Sequence, residues 1–226
     1  MIRTLSVNLN GRPLRWIFFD IGETIVDETR LWSSWADWLG VPRFAFMATL
    51  GGYIARGEDH WRALEHFRPG IDRRAARTLR AAAGRADDEI LPVDLYPDAR
   101  PCLATLRTLG YRLGIVGNQP ERARVALAAM DLPADLIATS ATWGVEKPSP
   151  AFFARLVAEA AVPAAQIAYV GDRVDNDVAP AKAAGLYTVF LIRGPWAALQ
   201  RNSPQAAAAD LTIDSLAELP SRLPTP

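Results

Sequence analysis

The run Trp16-Ile17-Phe18-Phe19 stops abruptly at Asp20-Ile21-Gly22. Four consecutive apolar residues of β-favouring type mark a central strand covered on both faces, because a strand with one wet face alternates instead. Such a strand delivers Asp20 to its carboxyl end. In an open α/β sheet the crevice beyond the strand ends is where ligands bind, so an acid at that place is a candidate for chemistry. A turn or helix-capping Asp explains this stretch, taken alone, equally well.

The same punctuation recurs after Tyr96-Pro97-Asp98. The spacing predicts a helix over 98–109, a strand over 112–116, a helix over 120–130 and a strand over 136–139. It then predicts helix 149–161, strand 167–170, helix 174–184, strand 187–192 and a last pair over 211–213 and 215–223. Strands alternating with helices of this length build a parallel sheet with helices on both faces, which makes the fold class α/β. Between residues 28 and 94 the strand-like runs vanish. Trp32, Trp35 and Leu39, with Leu31 and Trp38, follow three- and four-residue steps, and 44–54, 60–67 and 75–83 read as further helices. The chain is therefore expected to carry a sheet domain, residues 1–27 and 95–226, interrupted by an all-helical insert over 28–94. Packing is the commoner use of such a Trp stripe, and a ligand box the rarer one. Residues 1–14, with Leu5, Val7 and Leu9 before Asn10-Gly11, read as a hairpin feeding the first strand or as a disordered leader.

Charge and cysteine usage narrow the function classes. Twenty-five basic and 25 acidic residues cancel, and no like-charge run stands out, which argues against a nucleic-acid partner. Cys102 is the sole cysteine, so an intrachain disulfide and a thiolate zinc cluster are excluded. No stretch reaches the roughly 18 apolar residues of a membrane span, and the N-terminus lacks the apolar core of a signal peptide. A cytoplasmic protein with a small-molecule partner is expected, as a monomer or homodimer.

Three further strand ends bear comparison with Asp20. Val116-Gly117-Asn118-Gln119 offers small residues, and backbone N–H groups opening a helix, to an anion. Gly144-Val145-Glu146-Lys147-Pro148-Ser149-Pro150 places one of only two lysines in a Pro-rigidified turn. Tyr169-Val170-Gly171-Asp172-Arg173-Val174-Asp175-Asn176-Asp177 ends another apolar strand in a cluster of acids. Paired hard oxygen ligands suit Mg²⁺. Helix capping accounts for Asp175 or Asn176 better than for acids and a lysine at the ends of separate strands.

The order of these parts resembles the haloacid dehalogenase superfamily, in the branch with a helical cap between the first and second motifs. The resemblance covers roughly residues 15–223 and rests on four motifs falling in order. It implies a Rossmann-like core, a mobile cap and, in most members, Mg²⁺-dependent phosphoryl hydrolysis through an aspartyl-phosphate. Carried over by motif, Asp20 is the nucleophile, and Mg²⁺ is held by Asp20, the Gly22 backbone carbonyl and Asp172, with Asp177 supporting. Lys147 neutralises phosphoryl oxygens, and the N–H groups of Gly117 and Asn118 hold another. The implied substrate is a small phosphorylated metabolite.

Two positions depart from the family pattern. Phosphatases of the family usually carry a second Asp two residues after the nucleophile as general acid and base, and this chain has Gly22 there. A Ser or Thr usually ends the second motif, and here Gly117 stands in its place. Glu23 is the adjacent substitute for the missing acid, with His60 and His66 as alternatives. An extended backbone would point the Glu23 side chain to the opposite side. A catalytically weak phosphate-binding or interaction protein is the alternative reading. A 2-haloacid dehalogenase is disfavoured by the intact Gly171-Asp172, and a phosphonate-cleaving enzyme by the absence of lysine from 28–94.

Overall fold

The computed structural model describes residues 13–83 and 89–223. The expected hairpin or leader over 1–14 lies almost wholly outside the described residues. Two compact units form: one takes the chain up to Asp27 and again from Leu91, the other is Glu28–Ile90.

The first strand, β1 (Trp16–Phe19), is buried along its whole length. The helical unit follows with α1 (Thr29–Leu39), α2 (Arg43–Ala55), α3 (Arg62–Phe67) and α4 (Arg73–Ala82). The chain then runs α5 (Ala99–Thr108), β2 (Arg112–Gly117), α6 (Glu121–Ala129), β3 (Leu136–Thr139), α7 (Ser140–Trp143) and α8 (Pro150–Ala160). It closes with β4 (Ile167–Gly171), α9 (Ala179–Ala183), β5 (Tyr187–Leu191), α10 (Gly194–Gln200), β6 (Leu211–Ile213) and α11 (Leu219–Arg222).

The six strands pair in the order β3-β2-β1-β4-β5-β6, and every pairing is parallel. The sheet unit is thus a Rossmann-like α/β layer structure. β1 lies at its centre, and the chain moves to β2 on one side and to β4 on the other, which makes its carboxyl end the switch point of the topology. Alternate residues feed two cores. Trp16, Phe18, Val116, Ile167 and Tyr169 pack with Phe152, Phe153 and Leu156 of α8, while Ile17, Phe19, Leu113, Ile115 and Val170 are buried on the other side of the pleat. Gly114 is demanded by this packing, since a Cβ there would lie 2.3 Å from the Phe18 ring.

The helical unit has its own core. Trp32 and Trp35 are buried on α1, and Phe46, Leu50 and Ile54 line one face of α2 at four-residue steps. The rings of Trp32 and Trp61 lie 4.7 Å apart, so the Trp stripe serves packing within this unit. Arg80 of α4 is buried as well, with its guanidinium 3.9 Å from the Trp35 ring centroid and donating to Ser34 Oγ at 2.6 Å. His60 stands edge-on to Trp32, and His66 packs on Phe67. Among the described residues no helix is long and apolar enough to cross a membrane.

Two glycines test this account. Gly114→Ala forces a methyl into the Phe18 ring and is expected to destabilise by about 1–3 kcal/mol, the usual range for overpacking. Gly51→Ala, inside α2 with nothing within 4 Å of the added Cβ, is expected to stabilise by about 0.5–1 kcal/mol through helix propensity. Thermal melts of the two variants should move in opposite directions.

Candidate active site

Three strand ends and one returning loop meet at the carboxyl edge of the sheet. Asp20 follows β1 directly and donates its own N–H to Val170 O at 2.8 Å, which fixes it beside the end of β4. Asp172 follows β4 in the same way, and both carboxylates are buried. Beyond it the expected helix over 174–184 starts instead as a π-helical turn, Val174–Val178, before tightening into α9. The wide turn sets Asp177 back over the strand end, where its Oδ2 accepts from Arg173 N at 3.0 Å. Gly171 makes room for it: a Cβ there would fall 2.3 Å from Asp177 Oδ2.

Lys147 arrives from the far side. After β3 the single turn α7 is capped by Thr139 and ends at Gly144, whose φ of 69° reverses the chain towards the sheet edge. Asn118 then clamps the Lys147 backbone, accepting from its N–H at 2.8 Å and donating to its carbonyl at 2.8 Å. The ammonium is buried and lies 2.7 Å from Asp20 Oδ1 and 2.6 Å from Asp177 Oδ1. Burial alone would pull the lysine down, but Asp177 and Asp20 outweigh it and hold Lys147 well above its ordinary value. The ammonium therefore stays charged throughout the neutral range.

The acids respond differently. Burial, with Asp177, Asp20 and Glu23 around it, pushes Asp172 well above the usual carboxylate range, against the pull of Lys147. Burial also raises Asp177, to about 6, although Lys147 lowers it in part. One Lys147 ammonium cannot neutralise three carboxylates. Asp20, Asp172 and Asp177 can each point an oxygen so that all lie within 4.8 Å of one another, and Asp172 Oδ2 is buried without a hydrogen-bond partner. An unpartnered buried carboxylate oxygen beside two other acids fits a divalent cation with hard-oxygen preference.

The two glycines that depart from the pattern of the resembled family differ physically. At Gly117 an added Cβ would lie 2.4 Å from Asp20 Oδ1, so Asp20 already fills the space a side chain would use. Gly22 is not among the positive-φ glycines; the left-handed residue of this loop is Glu23, with φ 52°. The extended backbone that would point the Glu23 side chain to the opposite side is therefore not what forms. Its carboxylate is buried, accepts from Tyr96 OH at 2.7 Å and faces Asp172 closely enough to act on it. Sequence reading missed the side-chain clamp of Asn118, the Tyr96 hydroxyl and Tyr169, which donates to Val116 O at 3.0 Å and sets its ring centre 5.4 Å from the Lys147 ammonium. Position alone hinted at Tyr96, which directly precedes Pro97-Asp98 where the alternation resumes.

A family model described as haloacid dehalogenase-like hydrolase matches residues 14–185. The plasmid-encoded phosphoglycolate phosphatase of Cupriavidus necator is 33% identical over 192 residues, 82% of this chain and 80% of that protein. A glyceraldehyde 3-phosphate phosphatase of Methanocaldococcus jannaschii is 33% identical over 55% of this chain, and the match spans only about half, 54%, of that relative's length. Among solved structures, a HAD-superfamily hydrolase, subfamily IA, from Geobacter sulfurreducens superposes with a TM-score of 0.70 over 96% of this chain and 100% of its own, at 20% identity.

The acidic cluster makes a pH prediction. A carboxyl that holds its proton more tightly in the folded than in the unfolded state removes stability as pH rises between the two values, here from the ordinary 3.8 to about 6 for Asp177 and in the same direction for Asp172. With a chelator present, Asp172→Asn is therefore expected to melt above wild type at pH 7 by several degrees, on the order of 1–2 kcal/mol. The gain should shrink towards pH 4, and Mg²⁺ should stabilise the variant less than wild type. Melting curves that coincide at pH 7 would mean that the acids do not repel one another.

Proposed function

The chain belongs to the haloacid dehalogenase-like hydrolase family, and from that premise we propose that it is a Mg²⁺-dependent phosphohydrolase of a small phosphorylated metabolite. The observation that carries the proposal is the buried Lys147 ammonium between Asp20 and Asp177, beside the unpartnered oxygen of Asp172. Relatives named as phosphatases of phosphoglycolate and glyceraldehyde 3-phosphate support the substrate class. The helical unit is proposed to take the part of the family's substrate-selecting insert.

Asp20 is proposed as nucleophile. One oxygen is engaged by Lys147, which orients the carboxylate and leaves the second oxygen to attack phosphorus in line with the leaving oxygen, forming an aspartyl-phosphate. The Lys147 charge then meets the phosphoryl oxygens, and the N–H groups of Gly117 and Asn118 supply fixed dipoles for another. Asp20, Asp172 and the Gly22 carbonyl would hold Mg²⁺, with Asp177 in support; when bound, the ion screens the phosphate's charge from the attacking carboxylate. Glu23 is the carboxylate nearest in sequence to the vacant acid/base position and is proposed to transfer the proton. Gly22 gives the second reading its ground: with no carboxylate there, a protein that binds phosphate and turns it over feebly keeps the same Asp20, Lys147 and Asp172.

Wild type is expected to release the alcohol of an activated aryl phosphate in a Mg²⁺-dependent way, and Asp20→Asn to abolish that release. Equal release by both proteins would point to a contaminating phosphatase and end the assignment.

Restoring the carboxylate separates the two readings. Gly22 needs no left-handed backbone, so Gly22→Asp is expected to fold and to raise turnover of alkyl phosphates, within the about 10²–10⁴-fold that general acid–base catalysis contributes. Aryl esters should gain less, because their leaving groups need little protonation. Loss of alkyl turnover in Glu23→Gln with no gain in Gly22→Asp would assign proton transfer to Glu23 alone.

A further inference from the structure

We infer that Arg193 is a positioning residue for the loop that follows Asp20, a role that rests on the phosphohydrolase reading only for the task assigned to that loop. Arg193 comes two residues after β5, and its guanidinium joins three segments of the sheet unit. Nη1 donates to the Thr24 carbonyl at 3.0 Å, and Nη2 donates to the Asp98 carboxylate. The guanidinium carbon stands 4.0 Å from the Tyr96 ring centroid, and the hydroxyl of that same ring donates to Glu23 Oε2. The loop is thus held twice from one residue, by its backbone at Thr24 and through Tyr96 at the Glu23 side chain.

The anchor is itself well fixed. Asp98 Oδ2 also accepts from Ser215 Oγ at 2.6 Å and from Leu216 N at 3.0 Å. Burial would raise Asp98, but the bonds from Arg193 and Ser215 outweigh it and keep the carboxyl below its ordinary value. The next residue, Gly194, completes the clamp. A Cβ there would fall 2.7 Å from the Glu23 side chain, and its φ of 71° is one that glycine takes freely.

The loop has reason to need a hold from outside. Glu23 sits at φ 52°, a conformation that a residue with a side chain keeps only where its surroundings impose it. Inside the loop, Glu23 N–H reaches Val26 O, and the N–H groups of Ile25 and Val26 share Ile21 O. Those bonds close the turn without fixing the Glu23 carboxylate or the Thr24 carbonyl. A planar fork can serve Thr24 and Asp98 at once, whereas a lysine ammonium, a point charge on a flexible stem, cannot replace both contacts. Because this loop carries the Gly22 carbonyl and Glu23, a shift of about 1 Å would reach the chemistry at a cost on the order of 10²-fold in rate.

The test uses full-length Arg193→Lys and Tyr96→Phe. Lysine keeps a positive charge for Asp98, and phenylalanine removes a single hydroxyl, so both are expected to fold. Amide hydrogen exchange over 21–26 should quicken in both variants, more in Arg193→Lys, while exchange in β1 and β4 stays at the wild-type rate. With an aryl phosphate, kcat should fall about 10–100-fold in Arg193→Lys and KM should change less than about threefold. The double variant should cost little more than Arg193→Lys, because both act through one chain of contacts. Unchanged exchange over 21–26, or faster exchange with wild-type kcat, would overturn the role. A wild type inactive towards every ester tried would count against the phosphohydrolase reading, and the exchange rates would still decide whether Arg193 holds the loop.

Discussion

A buried ammonium between two buried carboxylates is the constraint on which the rest of this structure depends. Lys147 can leave water only with partners of opposite charge, because an unpaired cation in the interior costs several kcal/mol. Asp20 and Asp177 supply them at 2.7 and 2.6 Å, and they come from different strand ends. The pair thereby specifies which strands lie side by side and where the loop after β3 must return. Much of the local geometry follows from making room for it. Gly171 has no side chain because Asp177 occupies that volume, and the π-helical turn after β4 carries Asp177 to it. Asn118 holds the Lys147 backbone from both sides, so the ammonium is aimed by a fixed main chain.

What the sequence made legible is the part governed by period and by abrupt ends. β1, β3 and β6 form over the residues expected, and for β1 the reason is an unbroken apolar run that leaves few other places for it. Asp20 and Asp172 were readable because each stops an apolar strand. The shorter elements were not: α7 is one turn of four residues, set by the Thr139 cap and Gly144, and α10 opens on Arg193-Gly194-Pro195, which reads as a turn. Neither is long enough to show a helical period. The turn at Val174–Val178 was hidden for a different reason, since a π turn and an α turn share one composition and differ only in which carbonyl each N–H finds.

The side chains that matter around the acids were the hardest to foresee, for they act across long separations. Arg193 meets Thr24 at a distance of 169 residues along the chain, and Tyr96 meets Glu23 across 73. Nothing local marks an arginine as a clamp. What could have drawn attention is Glu23 itself, a long charged residue inside a loop otherwise built of Ile21, Gly22, Thr24 and Ile25. An acid so placed must be buried with partners or turned to solvent, and it is the buried arrangement that forms.

The two glycine departures from the family pattern therefore carry different weight. At Gly117 the space for a side chain is taken by Asp20 Oδ1, so a hydroxyl could enter only by displacing the carboxylate that Lys147 holds. That glycine belongs to the packing of the acid cluster. Gly22 differs in its backbone, which lies outside the positive-φ region, so a side chain there meets no conformational penalty of that kind. Its neighbour bears the conformational cost instead, with Glu23 in the left-handed region under the hold of Tyr96 and the close approach of Gly194. A loop that needed only flexibility would place glycine at the left-handed position and a side chain beside it. This loop does the reverse, and keeping a carboxylate where a side chain is least comfortable is intelligible if that carboxylate has work to do.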